Sequence, residues 1–399
     1  MILRQRLRWF LIGVASLVAV LILLEAGLRI FVEALPPRLR EVTYMVVRGV
    51  PFPESWDRAW VRNPDHYFIV KPGLVDALQF GSPQVRFHVS TIELWAGGGI
   101  GFRNRPVDYF VDAVVVGDSF AFCFTEREDC WVTQFEADAG LGVVNLGLPA
   151  TGSHSHLLIL RDFAQPFKPP LVIWQFFGND FNDDYGLFRA NETIEPLEED
   201  ERPAETVDDA GPGDGVQSRL RGASALYAVL ENVLNGWRRF QDPDAANFDE
   251  RYEATLRSGE VLRFGQPYEP KAMDMSRPVN QAGYELSRAA FEEAKALVSS
   301  WGGQLVVLLA PTREEVYESL TAAAMGSDLK AIRSARLAML DLCVDLQMAC
   351  YDMLADMQRG AAKGNLLYYA DDMHWNPLGN RAAAGLLRDW LDARGLLGA

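Results

Sequence analysis

The feature that most constrains the fold is a series of apolar runs, DAVVVGDS, GVVNLGL and PLVIWQFFGND, between residues 112 and 180, separated by the amphipathic stretches WVTQFEADAG and HLLILRDFAQPF. Val- and Ile-rich runs without polar alternation are strands buried on both faces, and a helix between each pair makes them parallel. The alternation resumes with a helical pattern over 281–301, the run QLVVLLAP, a helix over 328–346, the run ACYDM and a last helix after Asn376. Five strands in β/α order predict an α/β fold, a three-layer sandwich around a five-stranded parallel sheet, with ligands held at the carboxyl ends of the strands.

The N-terminus imposes a second constraint. From Trp9 to Leu24 the sequence carries no charge, and with EAGLRIFV appended the stretch 9–32 is long enough to cross a hydrocarbon layer of about 30 Å. A cleavable signal would end in small residues, whereas this run continues through Leu28, Ile30, Phe31 and Val32, which favours one uncleaved transmembrane helix. Arg4, Arg6 and Arg8 place the basic tail 1–8 in the cytoplasm and the rest outside it, periplasmic or at the cell surface, although Arg38 and Arg40 oppose that bias. Glu25 and Arg29, four apart on one face, are expected to pair near the interface. Cys123 with Cys130 and Cys343 with Cys350 fit two local disulfides of an oxidising compartment, or equally four buried thiols.

Charge excludes one class of partner. The formal net charge is −16, and because residues 1–40 hold six Arg against Glu25 and Glu33, about −20 falls on the remainder. Such a surface repels phosphate backbones, so nucleic acid is not an expected partner. Residues 33–110 read as a stalk (PPRLR) and a β-rich lead-in (TYMVV, HYFIV, VRFHVS), and 111–399 as the main domain with an insertion at 185–280. The insertion opens with EPLEEDERPAETVDDAGPGDG, nine acids against one Arg, which reads as a mobile loop. It continues with a helix expected to pack on the body through Leu220, Ala223, Leu226, Val229, Leu230, Val233, Leu234 and Trp237.

Polar residues gather where the strands end. Gly117-Asp118-Ser119 follows the first strand and presents a hydroxyl at a strand-to-helix turn, although a Ser there also serves as a cap. Gly178-Asn179-Asp180 ends the third strand, where an Asn amide is placed to donate toward an oxyanion or to make an Asx-turn. After the fifth strand the chain reads Asp371-Asp372-Met373-His374-Trp375-Asn376-Pro377. An imidazole accepts a Ser proton when a carboxylate on Nδ1 fixes its tautomer, and both acids are near enough in sequence. His154 and His156 read as surface residues of a helix start, Asp118 and Asp180 as acids bonding local backbone, and no Cys/His spacing suggests zinc.

In this order these motifs resemble the SGNH hydrolases, also called the GDSL family. GDSF matches the block with the nucleophile, NLGLPATG the second block, GND the block with the Asn and DDMHWNP the last, over 111–395 with the insertion looped out. Upstream, GIGFRN is similar to the segment before the nucleophile strand in membrane-anchored members. The resemblance implies Ser119 as nucleophile and His374 as base. It leaves Asp372 or Asp371 as the acid, the shorter spacing of Asp372 being the one that accompanies HWN. The implied oxyanion donors are the N–H of Ser119, the N–H near Ala150, or Gly152 if the register slips, and the Asn179 amide. Where the family usually has Gly this chain has Ala150, whose N–H remains a donor if φ stays negative. No metal or organic cofactor is implied. Three functions follow: an extracytoplasmic esterase removing an acyl group such as acetyl from a small molecule or glycan; an O-acyltransferase acting on a cell-envelope polysaccharide with the same residues; or a non-catalytic glycan-binding module on the same fold.

Overall fold

The computed structural model describes residues 2–35, 37–48, 59–80, 85–95, 97–191, 193–194, 197, 223–231, 234, 252–265, 268–370 and 372–397. The chain forms two compact units, Met1–Arg58 with Thr206–Ala246 and Ala59–Glu205 with Asn247–Ala399. The acidic run 195–215 lies almost wholly outside the described residues.

The larger unit holds the expected sheet. Its strands are β1 (Ala113–Val116), β2 (Val143–Asn145), β3 (Leu171–Phe176), β4 (Gln304–Leu309) and β5 (Ala349–Asp352), all parallel, in spatial order 2-1-3-4-5. Every residue of β1, β2 and β3 is buried, which explains the absence of polar alternation in their sequences. The chain leaves β1 toward β2 on one side and later crosses to β3 on the other, so a crevice opens above the carboxyl ends of β1 and β3, the switch point of such a sheet.

Helices cover the sheet in two groups. Helix α4 (Trp131–Ala139) packs on α9 (Pro377–Asp392), while α5 (Ser153–Ile159) and α6 (Asp180–Ala190) pack on α7 (Pro278–Ser300), and α8 (Ser327–Asp345) links β4 to β5. Trp174 on β3 is fully buried, its ring 4.7 Å from that of Phe291 on α7. Three antiparallel hairpins accompany the sheet: Trp60–Asn63 with Tyr67–Val70, Ala77–Phe80 with Arg86–Val89, and Tyr252–Thr255 with Val261–Phe264. The disulfides Cys123–Cys130 and Cys343–Cys350 are both formed, so the thiol alternative is not the one adopted.

The smaller unit contains α1 (Ile2–Ile30), whose stretch Arg8–Ile30 is long and apolar enough to cross a membrane and is not buried within the protein. Two expectations fail here. Residues 37–40 of the expected stalk and the run TYMVV lie in a helix, α2 (Pro37–Arg48), not in a stalk and strand: a proline suits the first helical position, and the Thr43 hydroxyl donates back to the Leu39 carbonyl at 2.7 Å. The helical stretch 225–231 of the insertion, expected to pack on the body, is part of this unit and bonds to Glu25 of α1.

Candidate active site

Ser119 opens a four-residue helix, α3 (Ser119–Phe122), directly after β1. Gly117 is required there, because a Cβ would stand 2.5 Å from the Gln175 amide oxygen and 2.9 Å from the Ala121 methyl. Gln175 on β3 accepts the Asp118 N–H at 3.1 Å, and Asp118 Oδ1 accepts the Phe120 N–H at 2.8 Å, so the turn that raises Ser119 is held from both sides. Asp118 therefore bonds local backbone as expected, and burial pushes its carboxyl up to about 6.

His374 comes to this turn from the loop before α9. Its Nε2 lies 2.8 Å from Ser119 Oγ and its Nδ1 2.6 Å from Asp372 Oδ1, which also accepts the His374 backbone N–H at 2.9 Å. A proton on Nδ1, shared with the carboxylate, leaves the Nε2 lone pair for the hydroxyl. Burial opposes ionisation of Asp372, but the imidazole, its two hydrogen bonds and the Arg313 charge outweigh it and hold the carboxyl below the usual range. Phe120 and Phe124 stand 5.1 and 4.2 Å from the imidazole, ring centre to ring centre, and fix its plane. Asp371 lies outside the described residues.

The oxyanion candidates are less uniform. Among the described residues no hydrogen bond takes up the N–H of Ser119, Ala150 or Gly152. Ala150 is exposed and has φ +56°, so the condition of a negative φ is not met: the left-handed conformation that Gly adopts freely is imposed on an alanine. Gly152 caps α5 without a side chain because a Cβ would meet Asp184 Oδ1 at 2.4 Å. Asn179 sits at the start of α6 with Nδ2 already donating to Asp183 Oδ2 at 3.0 Å and to the Tyr268 hydroxyl at 3.2 Å. The Tyr268 hydroxyl in turn donates to Asp183 Oδ1 at 3.3 Å. Burial pushes Asp183 up to about 7.

Two further expectations are corrected. His156 is not a surface residue: it is fully buried, with Nε2 3.1 Å from the Thr151 hydroxyl, and burial pulls it down to about 3, so it is neutral. His154 is half-buried, its backbone N–H donating to Asp184. Asp180 does not bond local backbone: among the described residues neither carboxyl oxygen has a hydrogen-bond partner, and His156 Nδ1 stands 4.0 Å away. Burial beside Asp118, Asp183 and Asp184 raises its carboxyl far above the usual range.

Supporting residues missed in the sequence are two buried arginines and Tyr268. Arg313, just past β4, donates to the carbonyl of Asp372 at 3.1 Å and reaches those of Ala370 and Tyr369. Arg103 donates to the carbonyls of Phe122 (2.9 Å), Thr125 (2.8 Å) and Cys123, holding the chain that follows Ser119. This gives GIGFRN a physical reason: a Cβ on Gly101 would overlap the Lys71 carbonyl at 2.2 Å, Phe102 is buried, and Asn104 exchanges two 2.8 Å hydrogen bonds with the Asn145 backbone. Among the described residues no group of three or more His, Cys, Asp or Glu side chains converges to hold a metal ion.

Comparison with known proteins adds the following. Residues 271–397 match the model of the SGNH hydrolase-like domain of the acetyltransferase AlgX. That segment includes Asp372 and His374 but neither Ser119 nor Asn179. No curated protein matches the chain. Solved structures similar to it include LAE5, an alpha/beta hydrolase enzyme from the metagenome of Lake Arreo, Spain (14% identity, 72% of this chain and 96% of that one, TM-score 0.36). A lipase/acylhydrolase from Enterococcus faecalis (11%, 71% and 97%, 0.36) and a catalytic mutant of Axe2, an acetylxylan esterase from Geobacillus stearothermophilus (10%, 72% and 94%, 0.35), are others. The likeness to the SGNH hydrolase-like domain thus covers residues 271–397, which hold β4, β5 and the His374 loop of the parallel-sheet domain.

Proposed function

We propose that this protein is an extracytoplasmic acyl-transfer enzyme that works through an ester on Ser119. The single observation that carries the reading is the continuous hydrogen-bonded chain Ser119 Oγ, His374 Nε2, His374 Nδ1, Asp372 Oδ1 at 2.8 and 2.6 Å. His374 removes the Ser119 proton as Oγ attacks an ester carbonyl, and Asp372 steadies the imidazolium. The carbonyl oxygen, now negative, is held by the N–H of Ser119 with that of Gly152, or with that of Ala150 in spite of its left-handed backbone. Asn179 joins them by exchanging one of its present partners, Asp183 or Tyr268, for the oxyanion. The imidazolium then protonates the departing alkoxide, leaving acyl-Ser119. A second hydroxyl, deprotonated by His374, attacks the acyl carbon and releases Ser119.

If that hydroxyl is water the protein is an esterase; if it belongs to a glycan it is an O-acyltransferase. The match to the domain of AlgX, an acetyltransferase, supports transfer to an acceptor other than water. Placement outside the cytoplasm is supported by the apolar stretch Arg8–Ile30 behind Arg4, Arg6 and Arg8, and by the two disulfides. The purified chain is tested with p-nitrophenyl acetate and a fluorophosphonate probe beside Ser119→Ala. The variant is expected to lose about 10³-fold or more in rate and all labelling; equal rates end the catalytic assignment. Adding acceptor glycan and weighing the product separates transfer from hydrolysis.

A further inference from the structure

We propose that the insertion's helical stretch 225–231, with Leu234, lies in the outer interfacial layer of a lipid bilayer, held there by the end of α1. The inference rests on α1 being the membrane anchor proposed above. At 1.5 Å per residue the 23 residues of Arg8–Ile30 span about 35 Å, so Glu25, five residues before Ile30, sits roughly 7.5 Å inside the outer end. A carboxylate at that depth is costly unless every acceptor site is satisfied.

The structure satisfies Glu25 with the insertion. Glu25 Oε1 accepts from Arg29 Nε at 2.7 Å and from the Ala225 N–H at 3.1 Å. Glu25 Oε2 accepts from the Ser224 hydroxyl at 2.9 Å and from the Leu226 N–H at 2.8 Å. Arg29 donates through Nη2 to the Ala223 carbonyl at 2.7 Å. Glu25 thus caps the first turn of 225–231, taking up N–H groups that a helix start leaves without acceptors. The start of this helix is thereby fixed near the depth at which amphipathic helices settle, about 5–10 Å into the head-group boundary.

What the helix turns outward agrees with that depth. It buries the small side chains Ala225 and Ala228, whereas Leu230 and Leu234 are 49% and 50% exposed. Ile30 and Phe31, at the end of α1 in the same unit, are 69% and 62% exposed. The apolar surface of the span is therefore extended sideways by a second segment tied to it, and hydrocarbon is the occupant that fits both.

The experiment uses the full chain, oxidised so that its four cysteines stay paired, reconstituted into phosphatidylcholine/phosphatidylglycerol vesicles. Leu230→Cys and Leu234→Cys are labelled with an NBD maleimide beside Val75→Cys, an 84% exposed position in the larger unit. At 230 and 234 the dye is expected to lose at least about half its emission to lipids spin-labelled near the head group, as a depth of about 5–10 Å requires, and at 75 none. Adding Glu25→Ala should abolish that quenching while the chain stays in the carbonate-washed membrane. Quenching by aqueous iodide at 230 and 234 as at 75 would overturn the proposal, as would protection from both quenchers, which means a protein cover, or quenching that survives Glu25→Ala. Extraction of the unmodified chain by carbonate would overturn the anchor reading itself, and with it the proposal.

Discussion

Replacing Asp372 by Asn tests the proposed chemistry with the least disturbance of shape. The Asp372 carboxylate is buried, and its Oδ1 lies 2.6 Å from His374 Nδ1 and 2.9 Å from the His374 backbone N–H. Asn offers an oxygen in the same place, so the turn keeps both hydrogen bonds and the fold should survive. The charge is lost. With charge centres about 4 Å apart, a carboxylate stabilises the imidazolium of the transition state by about 4 kcal/mol at an effective dielectric constant near 20, which is about a thousandfold in rate. An amide that turns its NH2 toward Nδ1 selects the wrong tautomer and brings the loss to about 10⁴. Hydrolysis of p-nitrophenyl acetate gives kcat/KM, the rate of fluorophosphonate labelling reports Ser119 reactivity apart from turnover, and a thermal melt reports the fold. The carboxyl of Asp372 is depressed in the folded chain, so its stabilising contribution is present above the unfolded carboxylate value and is lost as pH falls through the folded one. Asp372→Asn should accordingly melt with less dependence on acid pH than the unmodified chain. A variant within tenfold of wild-type kcat/KM, where Ser119→Ala is inactive, would refute the assignment and move the role to Asp371 or to no acid at all.

Ala150→Gly relieves the positive φ, which for alanine costs about 1–2 kcal/mol, against about 0.4–1 kcal/mol of added unfolded-chain freedom; the melting midpoint should hold or rise by a degree or two, and a clear fall would show that the left-handed turn is not strained. Asp184 is fully buried between the Ser287 hydroxyl (2.5 Å) and the His154 N–H (2.9 Å), and burial pushes it up to about 7. Its contribution is present below the unfolded value near 4 and is lost as pH rises through about 7, a change of about 4 kcal/mol at roughly 1.4 kcal/mol per unit. Asp184→Asn, which imitates the protonated acid, should flatten the stability profile from pH 4 to 8; an unchanged slope refutes the burial. Arg313→Met leaves the buried carbonyl of Asp372 without its Arg313 donor, at about 1–3 kcal/mol, and should slow fluorophosphonate labelling of Ser119 as well as lower the melting midpoint. Labelling at the wild-type rate would mean that the loop stands without it.

The sheet was legible because burial on both faces removes the polar half of each strand's alternation, and the runs at β1, β3 and β4 announce this directly. The placing of Ser119 and Asp372 was legible for a local reason: a hydroxyl three residues past a buried strand, and an acid two residues before a histidine, close enough for one oxygen to take both His374 donors. TYMVV misled because β-branched residues are shared by strands and by short helices that begin at a proline. His156 misled because a polar pair at a helix start reads as solvated, whereas α5 turns that face against β3, with the His156 ring 5.6 Å from Trp174. Nothing local marks Tyr268, whose partner Asn179 is 89 residues away.

The long supports follow from the topology. In the order 2-1-3-4-5 the strand before the histidine loop is at the far edge of the sheet, with β4 and β3 between it and the serine on β1. The chain from Asp352 to Asn376 must return over those strand ends, and it is fastened along the way. The Tyr317 hydroxyl donates to the Asn365 carbonyl at 2.7 Å and accepts the Leu367 N–H at 2.9 Å. Tyr368 donates to the Pro311 carbonyl at 2.7 Å, and Arg313 takes the carbonyls of Tyr369, Ala370 and Asp372. All these partners lie just past β4, midway along the route. Beyond them Tyr369 donates to the Phe124 carbonyl at 2.9 Å, joining the histidine loop to the chain that follows Ser119. A hydrogen bond of 2.8 Å between residues 255 apart in sequence therefore depends less on the two loops it joins than on the fastening at the end of β4. Substitutions there should alter Ser119 reactivity without touching any group that meets the substrate.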